Sequence, residues 1–160
     1  MKLRNIIYIL NLLFFIGCSY NVVDEDDLIK KESLKYLNNN DKPYTGAISG
    51  KFENGNNEIV GQYKEGKRTG KWTFFYEDGS KKDEGNYLNG SMDGEWISYS
   101  KDGIIVSKGE YVNNKKNGLW KYWYNDGKKE KEIQFVDDKQ SGKSLSWFSD
   151  GKQKTVSNYI

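Results

Sequence analysis

Gly61-Gln62-Tyr63-Lys64-Glu65-Gly66-Lys67-Arg68-Thr69-Gly70-Lys71-Trp72-Thr73-Phe74-Phe75-Tyr76-Glu77-Asp78-Gly79-Ser80-Lys81-Lys82-Asp83-Glu84 is one unit of a repeat 24 residues long. Residues 85–108 and 109–132 align with it without a gap, and the frame extends back over 37–60 and forward over 133–156. Gly46, Gly70, Gly94, Gly118 and Gly142 form one column, and Gly55, Gly79, Gly103, Gly127 and Gly151 a second. With Gly61, Gly85 and Gly109 these take 13 of the 17 glycines, so the periodicity is not accidental. Tyr63, Tyr87, Tyr111, Phe135 and Tyr159 make an aromatic column. Trp72, Trp96 and Trp120 make another, replaced by Ile48 and Ser144 in the outer units.

A constant short period means stacked supersecondary units. Asn54-Gly55, Asp78-Gly79, Asp102-Gly103, Asp126-Gly127 and Asp150-Gly151 predict two-residue type I′ hairpin turns, whose central residues need positive φ. A second connection near Gly66, Gly90, Asn114 or Asp138 closes each unit. The expected fold is all-β: a single-layer antiparallel meander of 24-residue hairpins with about ten strands.

Counting outward from the Asp-Gly steps places Trp120 opposite Ile133, Trp72 opposite Gly85 and Trp96 opposite Gly109. Tyr87 and Tyr111 should likewise oppose Gly70 and Gly94. Rings lying across glycine in both directions would cover bare backbone, giving Tyr63, Trp72, Tyr87, Trp96, Tyr111 and Trp120 a structural role. Alternation sends Phe75, Tyr99, Trp123 and Trp147 to the other face, beside Lys82, Val106, Glu130 and Lys154. These four are the candidate partner-binding residues, although a β-bulge before them would instead turn them onto the Trp face.

The segment 61–72 resembles the MORN-type β-hairpin repeat, and more closely its bacterial YwqK-type variant, with units of Gly-x-Tyr, Gly-Lys-x-x-Gly-x-Trp and Asn/Asp-Gly. The lead-in from Asp27-Leu28-Ile29-Lys30 to Pro43-Tyr44-Thr45-Gly46 is similar to the longer first unit of that family. The resemblance implies a non-catalytic interaction scaffold, in some relatives labelled the antitoxin of a toxin–antitoxin pair. An immunity-type binder of a protein toxin is therefore one expectation.

Composition removes several chemistries. The chain of 160 residues has no His and one Cys, excluding His-based triads, internal disulfides and multi-Cys zinc sites. A formal charge of +2 gives no strong pull toward nucleic acid. Gly142-Lys143-Ser144 lacks the upstream glycine of a phosphate loop, and Asp24–Asp27 lacks calcium-ligand spacing. The Asp at each hairpin has a turn role in every unit, which argues against a unique carboxylate pair. No enzyme activity, cofactor or metal is expected.

The N-terminus reads as an address. Lys2 and Arg4 precede the apolar run 6–17, too short to span a bilayer comfortably and ending at Cys18. Phe15-Ile16-Gly17-Cys18 resembles a lipobox, so 1–17 is expected to be a lipoprotein signal and Cys18 the lipidated residue. Residues 18–27 then read as an acidic tether, 28–60 as an atypical capping unit and 61–160 as regular repeats. Lys30–Tyr36 suits a brief helical turn or, preferably, a strand. The expected location is outside the cytoplasm, on the outer membrane where a bacterium has two. The expected protein partner has an alternative, a glycan or cell-wall polymer stacked on exposed Trp and Tyr.

Overall fold

The computed structural model describes residues 22–159; the signal run and Cys18 lie outside them. Strands β1 (Val23–Asp24), β2 (Leu28–Lys31), β3 (Leu34–Leu37) and β4 (Gly46–Lys51) form the N-terminal part. The repeats supply β5 (Asn57–Lys64), β6 (Lys67–Phe75), β7 (Lys81–Leu88), β8 (Ser91–Tyr99) and β9 (Ile105–Val112). They continue through β10 (Lys115–Trp123), β11 (Lys129–Val136), β12 (Lys139–Trp147) and β13 (Gln153–Tyr159). From β4 to β13 each strand pairs antiparallel with the next, giving the ten-strand meander the period implied. β1 adds an eleventh strand, parallel to β4, and β2–β3 form a separate hairpin.

The two kinds of turn are exchanged relative to expectation. Type I′ geometry sits at the other connection: φ is 50° and 74° at Glu65-Gly66, 51° and 90° at Asn89-Gly90, and 50° and 68° at Asn113-Asn114. At Asp78-Gly79 only the glycine has positive φ, and the loop has three residues. Gly79 N–H donates to the Tyr76 carbonyl at 2.9 Å, and Tyr76 N–H to the Ser80 carbonyl at 2.8 Å. That is a type I turn followed by a left-handed glycine. Asp78 serves as an acceptor there, its carboxylate taking the Ser80 amide at 2.9 Å, as Asp126 takes that of Lys128 at 3.0 Å.

The longer loop shifts pairing by one residue, and a bulge shifts it back. Phe75 pairs with Lys81 but Phe74 with Asp83, leaving Lys82 as the extra residue. Beyond the bulge Trp72 pairs with Gly85, Trp96 with Gly109 and Trp120 with Ile133. The two departures cancel, so the interior register is the one counted from the sequence.

The rings point the other way. Trp72 pairs with Gly85, yet its indole lies over Gly61 on the preceding strand; Trp96 lies over Gly85, and Trp120 over Gly109. A Cβ at any of these three glycines would stand inside the indole. The proposed reciprocal cover by tyrosine is absent. Gly70 pairs with Tyr87, but its nearest side chain is Gln62, and its φ of +64° is the reason for glycine there. Where the tryptophan is lost the glycine is lost with it: Ile133 faces Ser144.

Successive rings form one ladder. Tyr63, Trp72, Tyr87, Trp96, Tyr111 and Trp120 meet edge to face, with centroids 5.0–5.9 Å apart. Such pairs each add about 0.5–1.5 kcal/mol beyond burial itself. Trp72 is fully buried and Trp120 is 2% exposed, although among the described residues the one other sheet, β2–β3, packs only at the Trp72 end of this face. Arg68 lies 4.4 Å from the Trp72 ring and Lys116 4.3 Å from that of Trp120, so long basic side chains complete the cover.

The acidic segment is not a free tether from Val23 onward. β1 lies beside Ile48, and Glu25–Asp27 form a 3-10 turn. Glu25 accepts from the Tyr63 hydroxyl at 3.2 Å and lies 3.9 Å from Arg68 and 3.8 Å from Lys35. Val23, Leu28 and Leu37 pack with Ile48, Tyr63 and Trp72, sealing the N-terminal end of the ladder. The extended reading of Lys30–Tyr36 matches β2 and β3, joined through Glu32 at φ 55°.

Candidate interaction surface

Phe75, Tyr99, Trp123 and Trp147 close the first strand of successive hairpins. Because the extra residue belongs to the partner strand, the bulge leaves their alternation intact. Leu119, Lys121 and Trp123 line one open groove, whereas Trp120 and Tyr122 contact each other on the ladder side. The column therefore lies opposite the ladder. All four rings are half-buried. Their cross-strand partners are Lys81, Ile105, Lys129 and Gln153, one residue away from the expected set because the loop has three residues.

Charge on this face is organised around Glu84. Its carboxylate is 2.9 Å from Lys71 Nζ and 3.0 Å from Lys81 Nζ, and accepts from the Tyr99 hydroxyl at 2.7 Å. Burial alone would raise its pKa, but the hydrogen bonds from Lys71, Tyr99 and Lys81 outweigh it and hold the group at about 2. Burial first, and then the bond to Glu84, pushes Tyr99 up to about 12.

These shifts set opposite stability limbs. Glu84 favours the folded state above the ordinary carboxylate range, and that contribution disappears as pH falls from 4.5 toward 2. Tyr99 favours it below pH 10, and its contribution disappears as pH rises through about 12. Glu84→Gln is expected to flatten the acid limb of the melting-temperature profile and shrink the alkaline one. Thermal melts from pH 2 to 12 measure both.

Trp147 carries Lys129 4.9 Å from its ring centre, so a ligand there must displace a cation. Tyr99 and Trp123 instead line a wide groove of about 600 Å³ with Tyr76 and Tyr124. The sequence reading passed over Tyr76, Ser100 and Tyr124, and also the basic cover of Arg68 and Lys116. Their signal was present: 52, 76, 100, 124 and 148 form a column of Phe, Tyr, Ser, Tyr and Phe. A further groove of about 420 Å³ lies between the β2–β3 hairpin and the repeats, lined by Lys30, Lys35, Lys67 and Arg68. Among the described residues no cluster of metal-ligating side chains occurs, and no helix is long and apolar enough to cross a membrane.

An open meander whose units each lay a tryptophan across the previous glycine defines a β-hairpin repeat protein. Residues 68–89, 92–113 and 116–137 match the family described as MORN repeat variant, three matches that recur at the 24-residue spacing and make this stretch similar to MORN-type repeats. Each match begins in the column of Arg68, Met92 and Lys116, the residues beside or over the tryptophans. Ile48 and Ser144, which stand in the tryptophan column of the outer units, lie outside these matches. No curated protein matches the chain.

Proposed function

We propose that this MORN-type repeat protein is a lipid-anchored, exported scaffold that binds a protein partner through the face opposite its aromatic ladder. One observation carries the reading. The ladder tryptophans Trp72, Trp96 and Trp120 are at most 9% exposed and are committed to the fold, whereas Tyr99 and Trp123 line an open groove. Half-buried rings beside lysines and carboxylates suit a mixed apolar and charged protein surface. The anchor rests on the sequence of residues 1–18, and catalysis has no place in this reading. That the partner is a protein toxin, with the repeat acting as its immunity factor, rests on family resemblance alone.

Capture from envelope extracts tests the scaffold. The full chain is expected to retain a protein that Trp123→Ala releases, while Trp123→Ala stays folded. Cys18→Ser should move the protein from the membrane to the soluble fraction and abolish acyl-chain labelling. An uncleaved, membrane-bound Cys18→Ser protein would contradict the anchor. The second reading is a glycan module, favoured by the flanking of one groove by Tyr99, Trp123 and two further tyrosines. Retention on purified peptidoglycan or polysaccharide, lost in Trp123→Ala, would put it first.

A further inference from the structure

Tyr76 and Tyr124 occupy equivalent positions two units apart, and each makes the same bond. The Tyr76 hydroxyl donates to the Tyr99 carbonyl at 2.9 Å, and the Tyr124 hydroxyl to the Trp147 carbonyl at 2.8 Å. Between them the repeat places Ser100. Its short side chain stays within its own turn, the hydroxyl accepting from Ile104 N–H at 3.3 Å. The carbonyl that a tyrosine at 100 would meet is that of Trp123. Among the described residues no side-chain donor reaches it.

The gap opens the groove. Tyr76 and Tyr124 are four strand spacings apart, about 19 Å, and a ring would otherwise stand midway. Tyr76, Tyr99, Ser100, Val106, Trp123 and Tyr124 line the space. It offers ring and aliphatic walls rimmed by Lys101, Asp102, Asn125 and Glu130, together with one carbonyl whose counterparts two strands away on either side each accept a phenol. The repeat thus supplies its own template for the occupant.

We infer that this groove is a binding site for a tyrosine side chain presented by the protein partner, whose ring takes the place left at Ser100 and whose hydroxyl donates to the Trp123 carbonyl. The inference rests on the protein-scaffold reading and specifies what the partner must show. A phenol satisfies both halves of the site. Phenylalanine satisfies only the walls, and a sugar lacks a flat ring to fill the tyrosine's place.

Titration of the isotope-labelled protein with N-acetyl-tyrosinamide, N-acetyl-phenylalaninamide and methyl β-glucoside tests it. The tyrosine probe is expected to shift the Trp123 indole and Ser100 amide resonances. The phenylalanine probe should bind about fivefold more weakly, the usual worth of one hydrogen bond. Ser100→Tyr fills the groove from within, so it should abolish these shifts while leaving the Trp72 and Trp96 indole resonances in place. Ser100→Phe provides a second blocked form. Unchanged probe binding in both variants, tighter binding of the glucoside, or no shift with any probe would overturn the inference. Partner capture separates the two readings: a protein retained equally by wild type and Ser100→Tyr sinks this site and leaves the scaffold standing.

Discussion

Trp72→Ala is expected to lose about 3–5 kcal/mol of stability, read as a lower urea midpoint at constant slope. The side chain is fully buried and is the joint between the N-terminal cap and the repeats. Its ring sits 5.2 Å from Tyr63 and 5.7 Å from Tyr87, with Arg68 stacked 4.4 Å away. Alanine would leave Gly61 bare and remove the apolar platform beneath Arg68. A change of slope would show that the cap unfolds separately, as nearest-neighbour repeat arrays allow. Trp123→Ala on the other face, where the ring is only half-buried, should cost about 1 kcal/mol.

Gly85→Ala is the second large effect, and it comes from one added methyl group. Gly85 is ordinary extended backbone, so alanine alone would gain about 0.5–1 kcal/mol from reduced chain freedom. The Trp96 indole occupies the space that Cβ needs, and the contact is with a ring wedged between Tyr87 and Tyr111. Overpacking of that kind costs about 1–3 kcal/mol, so the net change is destabilising. The natural pair Ile133 and Ser144 suggests the rescue. Gly85→Ile combined with Trp96→Ser should recover much of the loss of either single change, with coupling measured by a double-mutant cycle.

The period, the strand count and the interior pairing were legible because they follow from spacing alone. Trp120 meets Ile133 whether the hairpin closes with two residues, or with three and a bulge at Glu130. That equivalence is also why the turn was misread. Asp-Gly suits a type I′ turn by preference, yet Asp126 works through its carboxylate, whereas Asp137-Asp138 adopts positive φ without any glycine. Ring direction depends on side-chain rotamers, which a pairing count does not contain. Glu25 was read as part of a solvated acid run because its partners Tyr63 and Arg68 lie about forty residues away. Ser100 carries no periodic signal of its own, because the groove arises where a repeat column breaks.

Each ladder indole, Trp72, Trp96 and Trp120, leans toward the strand before it, which gives the array a heading. A duplicated or deleted 24-residue block between Gly85 and Trp120 would still hand each tryptophan a glycine to rest on. Such a change would lengthen or shorten the molecule by two strands without disturbing a single ring. Reversing the order of the two halves of a unit would leave every ring without its seat. Whole-block changes would therefore alter the reach of the array while the lid at the front stays fixed.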